Sequence, residues 1–161
     1  MDQDRLIQAR EKLTSLTPLQ TNCGQLCDAA CCQPDEDGQG GVLLFPGEDA
    51  LLKGTRWGHI VYTEQGAMLV CDHMCERSER PLGCRIFPLT PKKRRDGSYG
   101  VRIDRRAFAM CPLAQSGTKG LHPLFVQAAC GAIQLIASDA QGAQFLDAWI
   151  KQERQFAQPL F

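Results

Sequence analysis

Residues 23–32 read Cys-Gly-Gln-Leu-Cys-Asp-Ala-Ala-Cys-Cys and bring Cys23, Cys27, Cys31 and Cys32 into one short stretch. A second group follows, with Cys71, Cys75 and Cys84 in CDHMCERSERPLGC and Cys111 in the pair Cys111-Pro112. Eight of the nine cysteines therefore belong to two clusters with a short middle between them. Thiolates are soft ligands that select zinc, copper(I) or iron–sulfur clusters, and bunching of this kind in a reducing compartment has few other uses. The four-residue spacing of Cys23, Cys27 and Cys31 predicts a helix with three sulfurs along one face, with Cys32 pointing elsewhere. Two adjacent cysteines seldom serve one tetrahedral ion, so Cys31-Cys32 indicates either two centres or one ligand and one spectator.

The opening residues Met-Asp-Gln-Asp-Arg start a charged, helix-like segment without the apolar core or cleavage site of a secretion signal. The longest apolar run, 124–137, is interrupted by Gln127, Gly131 and Gln134 and falls short of a membrane span. A cytoplasmic protein without a membrane segment is expected. There a disulfide framework is disfavoured, and an odd number of cysteines disfavours it again. At 161 residues one domain over 1–161 is expected, comprising a cysteine-cluster region at 23–113 and a helical extension at 121–157. Its 18 basic and 18 acidic side chains cancel overall. They are unevenly spread: 1–76 has 5 basic against 12 acidic, and 77–106 has 10 against 3.

In chain order, Leu6, Ala9, Leu13 and Leu16 share one face of a helix expected from Asp4 to Leu16, stopped by Thr17-Pro18. Residues 33–41, QPDEDGQGG, are turn and loop chemistry, leading into a short strand at 42–45 ended by Pro46-Gly47, and then a helical turn at 48–53. Runs 59–63 and 67–70 are β-rich and join through Glu64-Gln65-Gly66, where Gly66 can take the positive φ of a tight hairpin. The second of these strands delivers Cys71 on a rigid end. Residues 85–88 and 99–103 are expected to pair around a loop over 92–99. Segments 122–137 and 139–156 read as two packing helices, the latter with Phe145, Leu146, Trp149 and Ile150 on one side. The fold class is α+β: a small irregular sheet and loops stapled by metal, with an N-terminal helix and two C-terminal helices.

The cysteine cluster ending in Cys31-Cys32, the segment LFPGE at 44–48, the run RPLGCRIFP at 80–88 and Cys111-Pro-Leu113 occur in one order that resembles the YkgJ family of cysteine-cluster proteins. That family is named for a CxxCxxCC signature and described as zinc- or iron-chelating. The first gaps here are three residues instead of two. The resemblance spans Cys23 to about Leu113 and implies metal chelation, with Cys23, Cys27, Cys31, Cys32, Cys71, Cys75, Cys84 and Cys111 as the ligand set.

Zinc takes four thiolates, and eight cysteines divide into two such sites, but paired CxxC knuckles are absent. Iron–sulfur clusters also take four, and Cys111-Pro112 echoes the end of ferredoxin motifs without their compact spacing. The cofactor is therefore Zn2+ or an iron–sulfur cluster, and either thiolate centre is anionic, so Arg77, Arg80 and Arg85 are well placed to offset it. His73 is a minor ligand option. Cys130, on an apolar helix, reads as core packing. His59 and His122 read as ordinary strand and helix-start residues, and Glu48 as a helix cap.

One alternative is a nucleic-acid-binding zinc module using Lys92, Lys93, Arg94 and Arg95, which the lack of interleaved aromatics disfavours. Another is an accessory or electron-transfer role in protein modification, by analogy with flagellin lysine methylases that share such a cluster. A thiol–disulfide enzyme would want CxxC at a helix start, which is missing, as are a P-loop, a Ser-His-Asp set and paired catalytic carboxylates. With no catalytic motif, the chain reads as a binding protein whose partner is a metal ion or cluster.

Overall fold

A computed structural model describes residues 1–33, 40–72 and 75–155. The expected loop over 34–39 and the ligand option at His73 lie outside the described residues. Helix α1 spans Gln3–Glu11 and is capped by Asp2, whose carboxylate accepts the Asp4 N–H at 3.0 Å. Leu6, Ala9 and Leu13 are fully buried, as the expected face requires. The helix nevertheless stops before Leu16: Leu13 and Thr14 donate to Arg10 O and Glu11 O in a tighter turn. Arginines from later in the chain donate to carbonyls at this end as well, Arg85 Nη1 to Arg10 O (3.0 Å) and Arg77 Nη2 to Leu16 O.

The helix expected through Cys23, Cys27 and Cys31 is broken. Helix α2 covers only Gly24–Cys27, and a 3-10 turn covers Ala30–Cys32. Asp28 and Ala29 between them are left-handed, with φ of 50° and 52°. The Ala29 N–H returns to Gly24 O at 2.9 Å, closing α2 the way a left-handed cap closes a longer helix.

Strand β1 (Val42–Leu43) precedes α3 (Glu48–Leu52), β2 (Gly58–Thr63) and β3 (Gly66–Cys71). These strands form an antiparallel sheet in the order β1-β3-β2, with Thr63 opposite Gly66 and Gly58 opposite Cys71. Gly66 has φ 127°, as the hairpin demands. A Cβ at Gly58 would lie 2.5 Å from Val70 O, so only glycine allows this approach beside Cys71.

A 3-10 turn at Arg77–Glu79 leads into α4 (Leu82–Ile86), where a strand over 85–88 was expected. Burial decides the difference: Leu82 and Ile86, four apart, are both buried, and Pro81 starts the turn. The pairing strand lies further on, as β4 (Leu89–Lys93) against β5 (Tyr99–Ile103), with Leu89 opposite Ile103 and Lys93 opposite Tyr99. Pro91 is tolerated because this sheet has two strands and leaves an edge free. Helix α5 (Ala107–Met110), 3-10 turns over Pro112–Gly120, α6 (Pro123–Ala137) and α7 (Ala140–Gln155) complete the described elements.

Two cores result. The larger joins α1, α4, β4, β5, α6 and α7 through Leu6, Leu82, Ile86, Leu89, Phe125, Ile133 and Leu146, among others. Phe45 reaches it from the LFPGE segment and stacks with Phe145 and Trp149 at centroid distances of 5.2 and 5.5 Å. The smaller core is Leu44, Leu52, Trp57 and Leu69 beside the three-stranded sheet, with Cys71 and Cys75 packed against it. Among the described residues no single helix is long and apolar enough to cross a membrane.

Candidate metal centre

The two cysteine groups are held by different kinds of structure. Cys71 ends β3, and the chain beyond it stays bound to β2 through the Asp72 N–H and Trp57 O at 3.0 Å. Cys75 packs with Cys71 on the smaller core, and Cys84 sits in the middle of α4 between buried Leu82 and Ile86. Cys23 and Cys27 bracket the single turn of α2, and Cys31 and Cys32 lie on the 3-10 turn that follows. Cys111 ends α5, its N–H bonded to Ala107 O at 2.8 Å. Cys23, Cys27, Cys31, Cys32, Cys84 and Cys111 line one pocket, and Arg77, Arg80 and Arg85 line it with them.

Electrostatics resolves this assembly further. Burial pushes the Cys71, Cys75 and Cys84 thiols up, and Cys84 is lifted further by Cys71, Cys32 and Cys75. Cys32 likewise raises Cys71 and Cys75, and Cys75 raises Cys71. Cys23 is raised by burial and then by Cys27 and Cys111. The sulfurs of Cys31 and Cys32 lie 3.9 Å apart. The hydrogen bond with Cys32, in which either thiol can donate, raises Cys31, with burial and the charges of Cys32, Cys84 and Cys23 adding to the effect. The same bond brings Cys32 down to about 6 against the effect of burial, helped by Arg80. Two sulfurs sharing one zinc would also lie about 3.8 Å apart, given Zn–S bonds near 2.3 Å, so their other neighbours decide where each belongs.

The three arginines singled out in the sequence have separate uses. Arg85 is buried and turned toward α1, donating to Arg80 O (2.8 Å), Arg10 O (3.0 Å), Thr14 Oγ1 (3.2 Å) and Ser78 O (2.5 Å). Burial, reinforced by Arg10, lowers it to about 10. Arg80 stands beside Cys75 and acts on Cys23, Cys32 and Cys71 as well, whereas among the thiols Arg77 acts on Cys23. The Nε–H groups of both Arg77 and Arg80 are buried without a hydrogen-bond partner. Buried donors of this kind are costly unless an acceptor arrives, and metal-bound thiolates are acceptors of the right charge. Glu48 begins α3 but does not cap it, Gly47 being the N-cap: its carboxylate instead accepts from Phe45 N (3.2 Å) and Leu82 N (2.7 Å) and pairs with Arg10 at 3.4 Å. It thereby holds the start of the helix that carries Cys84, a connection the sequence does not advertise.

The remaining expected residues lie elsewhere. Cys130 packs on the larger core, with Arg94 Nη2 3.5 Å from its sulfur. His59 pairs with Asp72 at 3.1 Å, and the His122 ring meets Gln20 at 3.0 Å. In the basic hairpin Lys93 is bound by Asp147 at 2.7 Å, and Arg94 folds back on Ser98 and Tyr99 O. Among the described residues no three cysteine, histidine, aspartate or glutamate side chains stand close enough together to hold an ion as placed. The thiols are neighbours, and binding requires them to close on a common point. No protein-family model, curated protein or solved structure matches the chain.

Proposed function

We propose that this chain is a metal-binding protein that holds zinc or an iron–sulfur cluster through Cys23, Cys27, Cys31, Cys32, Cys71, Cys75, Cys84 and Cys111. The observation that carries the reading is that six of the eight thiols, Cys23, Cys27, Cys31, Cys32, Cys84 and Cys111, come from separate segments to line one pocket, with Cys71 and Cys75 packed on the smaller core and the ninth, Cys130, on the larger one. The donor set suits soft metals, and the two unpartnered guanidinium N–H groups beside it supply positive charge for an anionic thiolate centre. The resemblance to the YkgJ family supports the same chemistry. The engaged side chains of Lys93 and Arg94 lend no support to a nucleic-acid surface.

Anaerobic purification followed by elemental analysis and a visible spectrum tests the reading, since zinc sites are colourless and iron–sulfur proteins brown. Cys27→Ser, Cys71→Ser, Cys75→Ser and Cys84→Ser lose bound metal, because a hydroxyl is a harder and far less acidic donor. Cys130→Ala keeps its metal and loses only about 1 kcal/mol of packing. Full occupancy in Cys71→Ser and Cys84→Ser with depletion in Cys130→Ala would overturn the assignment.

A further inference from the structure

We propose that Trp57 is a positioning residue of the metal centre, its indole N–H donating to the metal-bound thiolate of Cys71 or Cys75. The inference rests on the metal-binding reading above and adds to it a residue that lies outside both cysteine clusters.

Among the described residues three buried side-chain donors have no hydrogen-bond partner: the indole N–H of Trp57 and the Nε–H groups of Arg77 and Arg80. Buried polar groups are nearly always partnered, so each exception calls for an acceptor. All three belong to the surroundings of the thiols. Arg77 and Arg80 line the pocket of six cysteines, and Trp57 is part of the smaller core, against which Cys71 and Cys75 pack. The other tryptophan shows the ordinary solution, Trp149 Nε1 donating to Glu153 Oε1 at 3.2 Å.

Trp57 is 7% exposed, and its N–H is shut off from solvent. Of the apolar side chains that build this core, Leu44, Leu52 and Leu69 offer no acceptor, whereas Cys71 and Cys75 bring sulfur. A neutral thiol accepts only weakly. A metal-bound thiolate carries negative charge, and hydrogen bonds to ionised acceptors are about twice as strong as neutral ones. Donors of this kind orient a ligating atom and offset its charge, and so tighten the site.

The backbone holds the indole in register with one of the two ligands. Trp57 O accepts the Asp72 N–H at 3.0 Å, and Gly58 lies opposite Cys71. Because a Cβ at Gly58 would fall 2.5 Å from Val70 O, the strands close up at this point only with glycine. The β2–β3 hairpin therefore sets donor and ligand one residue apart in register before any ion binds.

The test uses the full chain, made metal-free under reducing conditions and refilled with Zn2+ or with a spin-active isotope of Cd2+. On loading, the Trp57 indole proton is expected to move downfield in NMR spectra and, with Cd2+, to show scalar coupling to the metal through the N–H···S bond. The Trp149 indole proton, already bonded to Glu153, stays where it is and serves as the internal control. Trp57→Phe, which keeps an aromatic ring and loses the donor, is expected to bind Zn2+ about tenfold more weakly in chelator competition. Leu52→Val, a packing defect in the same core that removes no donor, keeps the wild-type affinity. Circular dichroism establishes that each variant is folded, and the wild-type spectra decide the case if Trp57→Phe is not. A Trp57 indole proton that loading leaves unmoved and uncoupled overturns the role of Trp57 and leaves the metal-binding reading intact. So does wild-type affinity in Trp57→Phe, or an equal loss in Leu52→Val. A chain that takes up neither ion overturns this proposal, and the metal-binding reading with it where no iron is present as purified.

Discussion

Glu48 Oε1 accepts the backbone N–H of Leu82 at 2.7 Å, from a carboxylate with no exposure to solvent, and so fastens the LFPGE segment to the helix that presents Cys84. Burial raises the Glu48 carboxyl, and the N–H groups of Leu82 and Phe45 together with Arg10 counter it. Removing it leaves buried donors and the Arg10 guanidinium without their acceptor. Glu48→Ala is expected to cost about 3–5 kcal/mol in denaturant unfolding, and Glu48→Gln, which keeps one acceptor, about 1–3 kcal/mol. A loss below about 0.5 kcal/mol in Glu48→Ala would show that this carboxylate does not hold α4.

Arg80 reaches thiols of both groups, Arg77 only the Cys23 side, and this contrast is measurable. Arg80→Met is expected to weaken Zn2+ binding about tenfold or more, since charge-assisted hydrogen bonds to thiolates are lost. Arg77→Met is expected to weaken it less, since Cys23 is the one thiol that Arg77 acts on. Arg80→Lys restores part of the loss, through charge without the Nε donor. Competition titrations with a chelator read the affinity of each variant. Equal affinities in Arg80→Met and wild type would remove Arg80 from the centre's surroundings.

Much of this arrangement can be read from residue patterns, for identifiable reasons. The β2–β3 hairpin announces itself by its β-rich runs and Gly66, and the α6 and α7 faces by their apolar spacing, because local pattern and tertiary burial agree there. The break in the cysteine helix is hidden, since neither Asp28 nor Ala29 is a residue that signals positive φ strongly. Helix α4 is hidden for another reason: Arg85-Ile86-Phe87 has strand character, and only the burial of Leu82 and Ile86 and a cap from distant Glu48 make it helical. The three arginines look equivalent in sequence. Their division into a helix clamp at Arg85 and thiol neighbours at Arg77 and Arg80 arises from where α1 lies, which no local pattern encodes.

Asp147 accepts from Lys93 Nζ at 2.7 and 2.8 Å and from Tyr99 Oη at 2.8 Å, bonds that hold its carboxyl below the ordinary carboxylate range. A depressed carboxyl stabilises the fold above its unfolded pKa of about 3.9, and the contribution disappears as pH falls through the folded value. Both partners are substantially exposed, so the effect is small. Asp147→Asn is expected to lower the melting temperature by less than about 4 °C at pH 7 and not at all near pH 2. A carboxyl titration by NMR with an ordinary or raised midpoint for Asp147 would contradict the placement of α7 against the β4–β5 hairpin.

Metal removal is expected to affect the two cores unequally, and the two tryptophans report on them separately. Trp57 belongs to the smaller core, against which Cys71 and Cys75 pack, whereas Trp149 belongs to the larger core, beside Phe45 and Phe145. Four large side chains are few to hold a sheet and its loops, and a structural thiolate site contributes on the order of 10–16 kcal/mol, as much as a whole domain's net stability. Chelation is therefore expected to lower the melting temperature by at least about 10 °C. In single-tryptophan variants made with Trp149→Phe or Trp57→Phe, emission from Trp57 shifts to the red on chelation and emission from Trp149 changes little. Helicity from α6 and α7 persists, since their contacts to α1 and β5 involve none of the eight clustered thiols. An unchanged melting midpoint together with unmoved emission from Trp57 would mean that metal is no part of what holds this fold.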